Sequence, residues 1–182
     1  INISSPNTEN LRSFHNEDEL NELLNLIEKE KKILKTTVPI TVKISPDIQD
    51  QNINIISDLL LKHNVEALIV SNTTDKSREN LSNINKLEKG GLSGKPLEKR
   101  SNELINKFYK ILKNKIKIIG VGGVDSGQSA YQKIISGASL VQLYTGMIYQ
   151  GPSIASKISG ELINILDKEG VKNISDIVGS KN

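Results

Sequence analysis

The stretch IKIIGVGGVDSGQSAYQKIISGASLVQLYT, Ile116 to Thr145, decides the fold. Ile116–Val121 is a short apolar run of the kind a buried strand makes. Gly122 and Gly123 break it. Asp125-Ser126-Gly127 then starts a helix, Ser126–Ser136, which Gly137 stops in the C′ position. Leu140–Tyr144 is a second strand. A strand, a helix and a strand in so short a stretch make a parallel pair joined by a crossover.

The same alternation extends outward over the whole chain. Ile1–Ile3 reads as the end of a strand. Asp18–Leu34 is a helix, with Leu20, Leu23, Leu24 and Ile27 at helical spacing. Strand Ile40–Ile44, helix Asp50–His63 and strand Ala67–Ser71 follow. Helix Arg100–Leu112 precedes the opening stretch. Helix Pro152–Leu166, with Pro152 in its first turn, and a short helix near Ser175–Val178 close the chain. Two architectures accommodate this: an open doubly wound sheet and a (β/α)₈ barrel. A barrel takes about 250 residues, so 182 residues would hold roughly its last five β/α units. Ile1 falls inside a strand, and residues upstream of it are expected. The segment between Ser71 and Arg100 is a loop well beyond the ~12–15 residues that plain connections reach, which points to a functional role. It carries Gly90-Gly91-Leu92-Ser93-Gly94-Lys95-Pro96.

Composition removes several function classes. There are 24 Lys+Arg against 21 Asp+Glu, a formal charge of +3, and aromatics make up 3%. That charge is too small and too scattered for phosphate-backbone binding, and aromatics are too few for base stacking, so no nucleic-acid partner is expected. There is no Cys, hence no disulfide framework and no thiolate chemistry. His15 and His63 are far apart in sequence and read as surface residues, so a metal centre is not expected. No Gly-x-Ser-x-Gly elbow is present. No apolar run reaches the ~18 residues of a membrane span.

The polar residues gather where strands end. Asn2, Ser5 and Asn7 follow the first strand, and Lys43 sits near the end of the second. Ser71, Asn72 and Thr73 end the third, Gly122 and Gly123 the fourth, Tyr144 and Thr145 the fifth. In parallel α/β folds this is where sites form. Lys43 lies in a strand that should be buried, so it either reaches water at the strand end or meets an anionic partner. Gly122-Gly123 is either a packing turn or a place where backbone approaches a ligand. The start of the following helix would favour a phosphate. The asparagines offer paired donors and acceptors to a planar, amide-rich ligand.

Taken together, NISSPNT (Asn2–Thr8), VKISPD (Val42–Asp47), NTT (Asn72–Thr74), GGLSGKPL (Gly90–Leu97), IIGVGGV (Ile118–Val124), SGQ (Ser126–Gln128) and GASLVQLYT (Gly137–Thr145) occur in the order of one family. The chain resembles the C-terminal part of class 2, quinone-dependent dihydroorotate dehydrogenase. The resemblance implies an FMN-binding (β/α)₈ barrel, with residues 1–182 as the C-terminal part of that single domain and the first three strands upstream. It implies Ser5 as catalytic base, where class 1 relatives carry Cys. Asn2 would touch flavin and substrate; Asn7, Asn72 and Thr73 would hold the pyrimidine. Lys43, Ser71, Gly94, Gly123, Tyr144 and Thr145 would bind FMN. The reaction implied is oxidation of dihydroorotate to orotate in pyrimidine biosynthesis, with a membrane quinone as final acceptor. Upstream helices would attach the protein peripherally to the bacterial cytoplasmic membrane or the mitochondrial inner membrane.

Overall fold

A computed structural model describes residues 1–76, 78–79 and 81–181. Helix α1 (Glu17–Ile33) leads into β1 (Thr41–Ile44), α2 (Gln51–Lys62) and β2 (Ala67–Val70). Then come α3 (Glu98–Leu112), β3 (Lys117–Val121), α4 (Gly127–Ser136), β4 (Leu140–Gln142), α5 (Thr145–Gln150) and α6 (Ile154–Glu169). The four strands form one parallel sheet in the order β1-β2-β3-β4. Sequential order with every neighbour parallel is how a (β/α)₈ barrel is laid down, and it differs from the reversing order of a doubly wound sheet.

Side-chain alternation gives the sheet two unlike faces. Ile44, Val70, Gly120 and Val141 share one register row, and Lys43, Ile69, Ile119 and Leu140 the next. The first row packs under the helices, where Phe108, Leu104 and Ile105 of α3 meet Leu60 and Ile56 of α2 and Leu20 of α1 in the main core. The second row is half-buried, with Leu140 exposed, and forms the inward face of the barrel wall. A smaller core joins α4, α6 and the C-terminal turn through Ala130, Ile134, Ile154, Ile158 and Ile177. Helix α1 carries Glu17, Asp18 and Glu19 in its first turn and Lys31 and Lys32 in its last, the polarity that complements its dipole.

Several local expectations need correction. The first strand is reduced to one parallel bridge, Asn2 to Lys43. The last ends at Gln142, and Thr145–Gln150, to which the sequence assigns no element, is helical. Pro152 lies just before α6, whose N-cap is Ser153. The histidines are not surface residues: His15 is 6% and His63 8% exposed. His15 Nε2 accepts from the Ser45 N–H at 3.3 Å. Burial pushes its pKa down to about 4, against a backbone hydrogen bond to Arg12. His63 sits between Glu28 (2.8 Å) and Asn21 (3.0 Å) of α1.

Candidate active site

The strand ends open onto a cavity of about 710 Å³, within the range of small-molecule sites. Asn7, Lys43, Ser71, Asn72, Thr73, Gly94, Gly123, Tyr144 and Thr145 all line it. Two sequence-predicted residues, the exposed Asn2 and the half-buried Ser5, are not part of this lining. Asn2 is tied to it through Asn72, and Ser5 through Asn7.

One end of the cavity is a network of amides and hydroxyls. Asn2 Oδ1 accepts from the Ser4 hydroxyl at 2.8 Å and from Asn72 Nδ2 at 3.2 Å. Asn72 Nδ2 also donates to Ser4 Oγ at 3.0 Å, and Asn72 Oδ1 accepts from the Thr73 N–H at 2.8 Å. The Asn72 side chain is thus fixed at both its donor and its acceptor. Ser5, half-buried, accepts from the Asn7 N–H at 3.2 Å.

Lys43 lines the same cavity from β1, on the strand bridged to Asn2. Its backbone is pinned by Ile1 and Ile3, with Lys43 N–H donating to Ile1 O at 2.9 Å. Its half-buried side chain faces the cavity and pairs with no carboxylate among the described residues. An ammonium placed so is set to meet an anionic or electron-rich ligand.

The other end is shaped by backbone. The neck of the long loop is closed by Thr74 and Leu92, which exchange hydrogen bonds of 3.1 and 2.6 Å. This brings Gly91, Ser93 and Gly94 to the cavity. A Cβ on Gly91 would lie 1.8 Å from Thr73 Oγ1, and one on Gly123, where φ is +78°, 2.4 Å from Glu98 Cβ. Ser93 Oγ and Thr145 Oγ1 join the two loops at 2.8 Å. Lys95 pairs with Glu98 at 2.6 Å on the rim, and that hydrogen bond raises its pKa.

The start of α4 is not the anion site expected of it. Ser126 Oγ caps the Ser129 N–H at 3.2 Å, and the Gly127 N–H donates to Glu161 Oε2 at 2.5 Å. The Gly127 and Ser129 N–H groups are already satisfied within the protein.

The loop bearing Ser5 is clamped from outside the cavity. Arg12 reaches Asp47 at 3.1 Å and Asp75 at 3.0 Å, and the Thr74 hydroxyl donates to Asp47 at 2.5 Å. Burial raises the Asp47 carboxyl, opposed by the Thr74 and Arg12 contacts. Sequence reasoning missed this clamp, because its partners lie 35 and 63 positions from Arg12.

The dihydroorotate dehydrogenase family model matches residues 1–166. The chain is similar to dihydroorotate dehydrogenase (quinone) of Trichodesmium erythraeum, 41% identical over all of this chain and 49% of that protein. It is 45% identical to the enzyme of the same name from Burkholderia cenocepacia, over 86% of this chain and 47% of that protein. It thus spans about half the length of the curated relatives it matches. The crystal structure of DHODH from Eimeria tenella in complex with ferulenol superposes with a TM-score of 0.94 at 36% identity. That match covers 100% of this chain and 53% of the other. The ligand-free form gives 0.93 at 35% identity, over 100% and 55%. The strand order, the cavity at the strand ends and these matches agree, and the chain belongs to the dihydroorotate dehydrogenase family.

Proposed function

We propose that the protein containing this chain oxidises (S)-dihydroorotate to orotate with FMN as hydride acceptor and a quinone as final acceptor, in pyrimidine biosynthesis. The observation that carries this reading is Lys43. Its ammonium, unpaired among the described residues, lines one cavity together with an amide-rich end suited to a pyrimidine and a glycine-built end suited to a phosphate-bearing tail.

The residues fit a flavin nucleotide. Gly91 and Gly123 pack against Thr73 and Glu98 too closely for any Cβ, so the cavity wall there is bare backbone that a nucleotide tail can approach. Ser71, Gly94, Gly123, Tyr144 and Thr145 would hold the FMN, with Asn2 and Lys43 beside its ring. Bound FMN supplies the acceptor for the hydride that leaves substrate C6. Asn7, Asn72 and Thr73 orient the pyrimidine, and the fixed Asn72 amide makes that orientation inexpensive in entropy. Ser5 Oγ takes the proton from substrate C5. A neutral serine is a weak base, so its own proton must leave as the substrate's arrives. Lys43 holds positive charge where negative charge gathers during the reaction.

A quinone partitions into lipid, so the protein works at a membrane surface, attached peripherally. No helix among the described residues is long and apolar enough to cross a membrane. Offering quinone, fumarate and NAD side by side to the full-length protein with dihydroorotate tests the reading. Quinone reduction is expected. Turnover with fumarate or NAD instead would overturn the acceptor, and no turnover with any would overturn the activity.

A further inference from the structure

Lys133 is fully buried on α4, on the face that also buries Ala130 and Ile134. A Cβ on Gly120 of β3 would lie 3.0 Å from its Cδ, so the glycine leaves room for the lysine stem. Its ammonium donates to Ser101 Oγ at 3.0 Å and to Asn102 Oδ1 at 2.9 Å, and pairs with no carboxylate among the described residues. A buried unpaired ammonium is costly, and an apolar side chain of similar volume would avoid that cost.

The contacts lead to the cavity. Because Ser101 Oγ accepts from Lys133, its own proton is left for the Val121 carbonyl at 2.6 Å, with the Val70 carbonyl at 3.3 Å. Val121 is the last residue of β3, and Val121, Gly122 and Gly123 line the cavity. The charged groups facing Lys133 are Glu98, at the start of α3, and Lys95, in the turn before it. These two already pair with each other, and the start of α4 is capped by Ser126 and Glu161. Among the described residues, Lys133 is therefore the basic group behind the glycine turn that no carboxylate pairs with.

We propose that Lys133 is a positioning residue for the phosphate end of the flavin nucleotide: through Ser101 it holds the Val121 carbonyl and the Gly122–Gly123 turn, and its charge favours an anion there. This rests on the reading that the cavity takes FMN. Burial lowers the pKa of Lys133 to about 7, offset in part by Glu98, so an anion at the turn would draw a proton onto it near neutral pH.

FMN and riboflavin share a ring and differ by the phosphate, so together they separate this role from general structural support. Apoprotein of full length is titrated with each, following flavin fluorescence. Lys133→Met is expected to weaken FMN binding by about tenfold, the equivalent of one pKa unit of coupling, and to leave riboflavin binding unchanged. Equal loss for both ligands, or no loss for FMN, would overturn the proposal and leave the flavin reading standing. Wild-type protein that binds neither would overturn both. Should Lys133→Met fail to fold, ¹⁵N NMR titration of the wild-type lysines replaces it. FMN should raise the Lys133 midpoint and riboflavin should not; a midpoint that FMN leaves in place would overturn the proposal.

Discussion

At one end of the cavity Asn2, Ser4, Asn72 and Thr73 hold one another by side-chain hydrogen bonds. At the other, Gly94, Gly122 and Gly123 adopt positive φ of 78°, 110° and 78° and side chains merely close the gaps. The difference predicts how each end fails. A hydrogen-bond network loses about 1 kcal/mol per bond and degrades in steps. A backbone turn that excludes a Cβ fails at once, because its neighbours have nowhere to go.

The largest effect is expected at the amide end, where chemistry and not packing is at stake. Ser5→Ala should slow flavin reduction by dihydroorotate about 10²–10⁴-fold while flavin stays bound, as read by stopped-flow absorbance. A wild-type rate would move the base elsewhere. Next comes the glycine end. Gly123→Ala places a Cβ 2.9 Å from the Glu98 backbone at φ +78°, and should cost upward of about 2 kcal/mol together with flavin content. Gly151→Ala has a similar φ of +81° and open space around it, so it should cost about 1 kcal/mol or less. Equal melting temperatures for the two variants would remove the distinction between strain and crowding.

Acid should destabilise the fold around Ser45, whose N–H donates to the buried His15. His15 has its folded pKa lowered from 6.5 to about 4, so the unfolded chain binds the extra proton. The resulting stability is fully present above pH 6.5 and is lost as pH falls toward 4, by up to about 3 kcal/mol. Urea unfolding at pH 7 and pH 4.5 measures it, and His15→Gln should flatten the dependence. Among the activity effects, the smaller is expected from Asn72→Ala. It removes bonds to Asn2, Ser4 and Thr73 and should raise KM for dihydroorotate by about tenfold with kcat less affected. A kcat loss equal to that of Ser5→Ala would mean the amide end does chemistry as well as positioning.

The fold was legible because its signal is local. The strands read at Ile40–Ile44, Ala67–Ser71 and Ile116–Val121 sit between helices of clear periodicity, and each holds a strand of one parallel sheet, shorter by one residue. Helix α5 was not legible: its six residues include none that is buried, so it leaves no periodic trace. The histidines were misread because what buries them is tertiary. His63 lies against Glu28 and Asn21, 35 and 42 positions away. Lys133 did leave a trace, a lysine three residues after Ala130 and one before Ile134 on a helix face that is otherwise buried. In the candidate site, the gathering of polar side chains at strand ends could be read directly, and most of them line one cavity, while the turns showed only as glycines. The hydrogen bonds at the start of α4 come from Ser126 and from Glu161 of α6, and the second of these no local reading supplies.

The most direct test is the visible spectrum of the full-length protein under anaerobic conditions, before and after dihydroorotate is added. A flavin spectrum that bleaches on addition is expected, since the cavity would then hold both the cofactor and the substrate in reacting order. A colourless protein, or a bound flavin that stays oxidised with dihydroorotate present, would contradict the account.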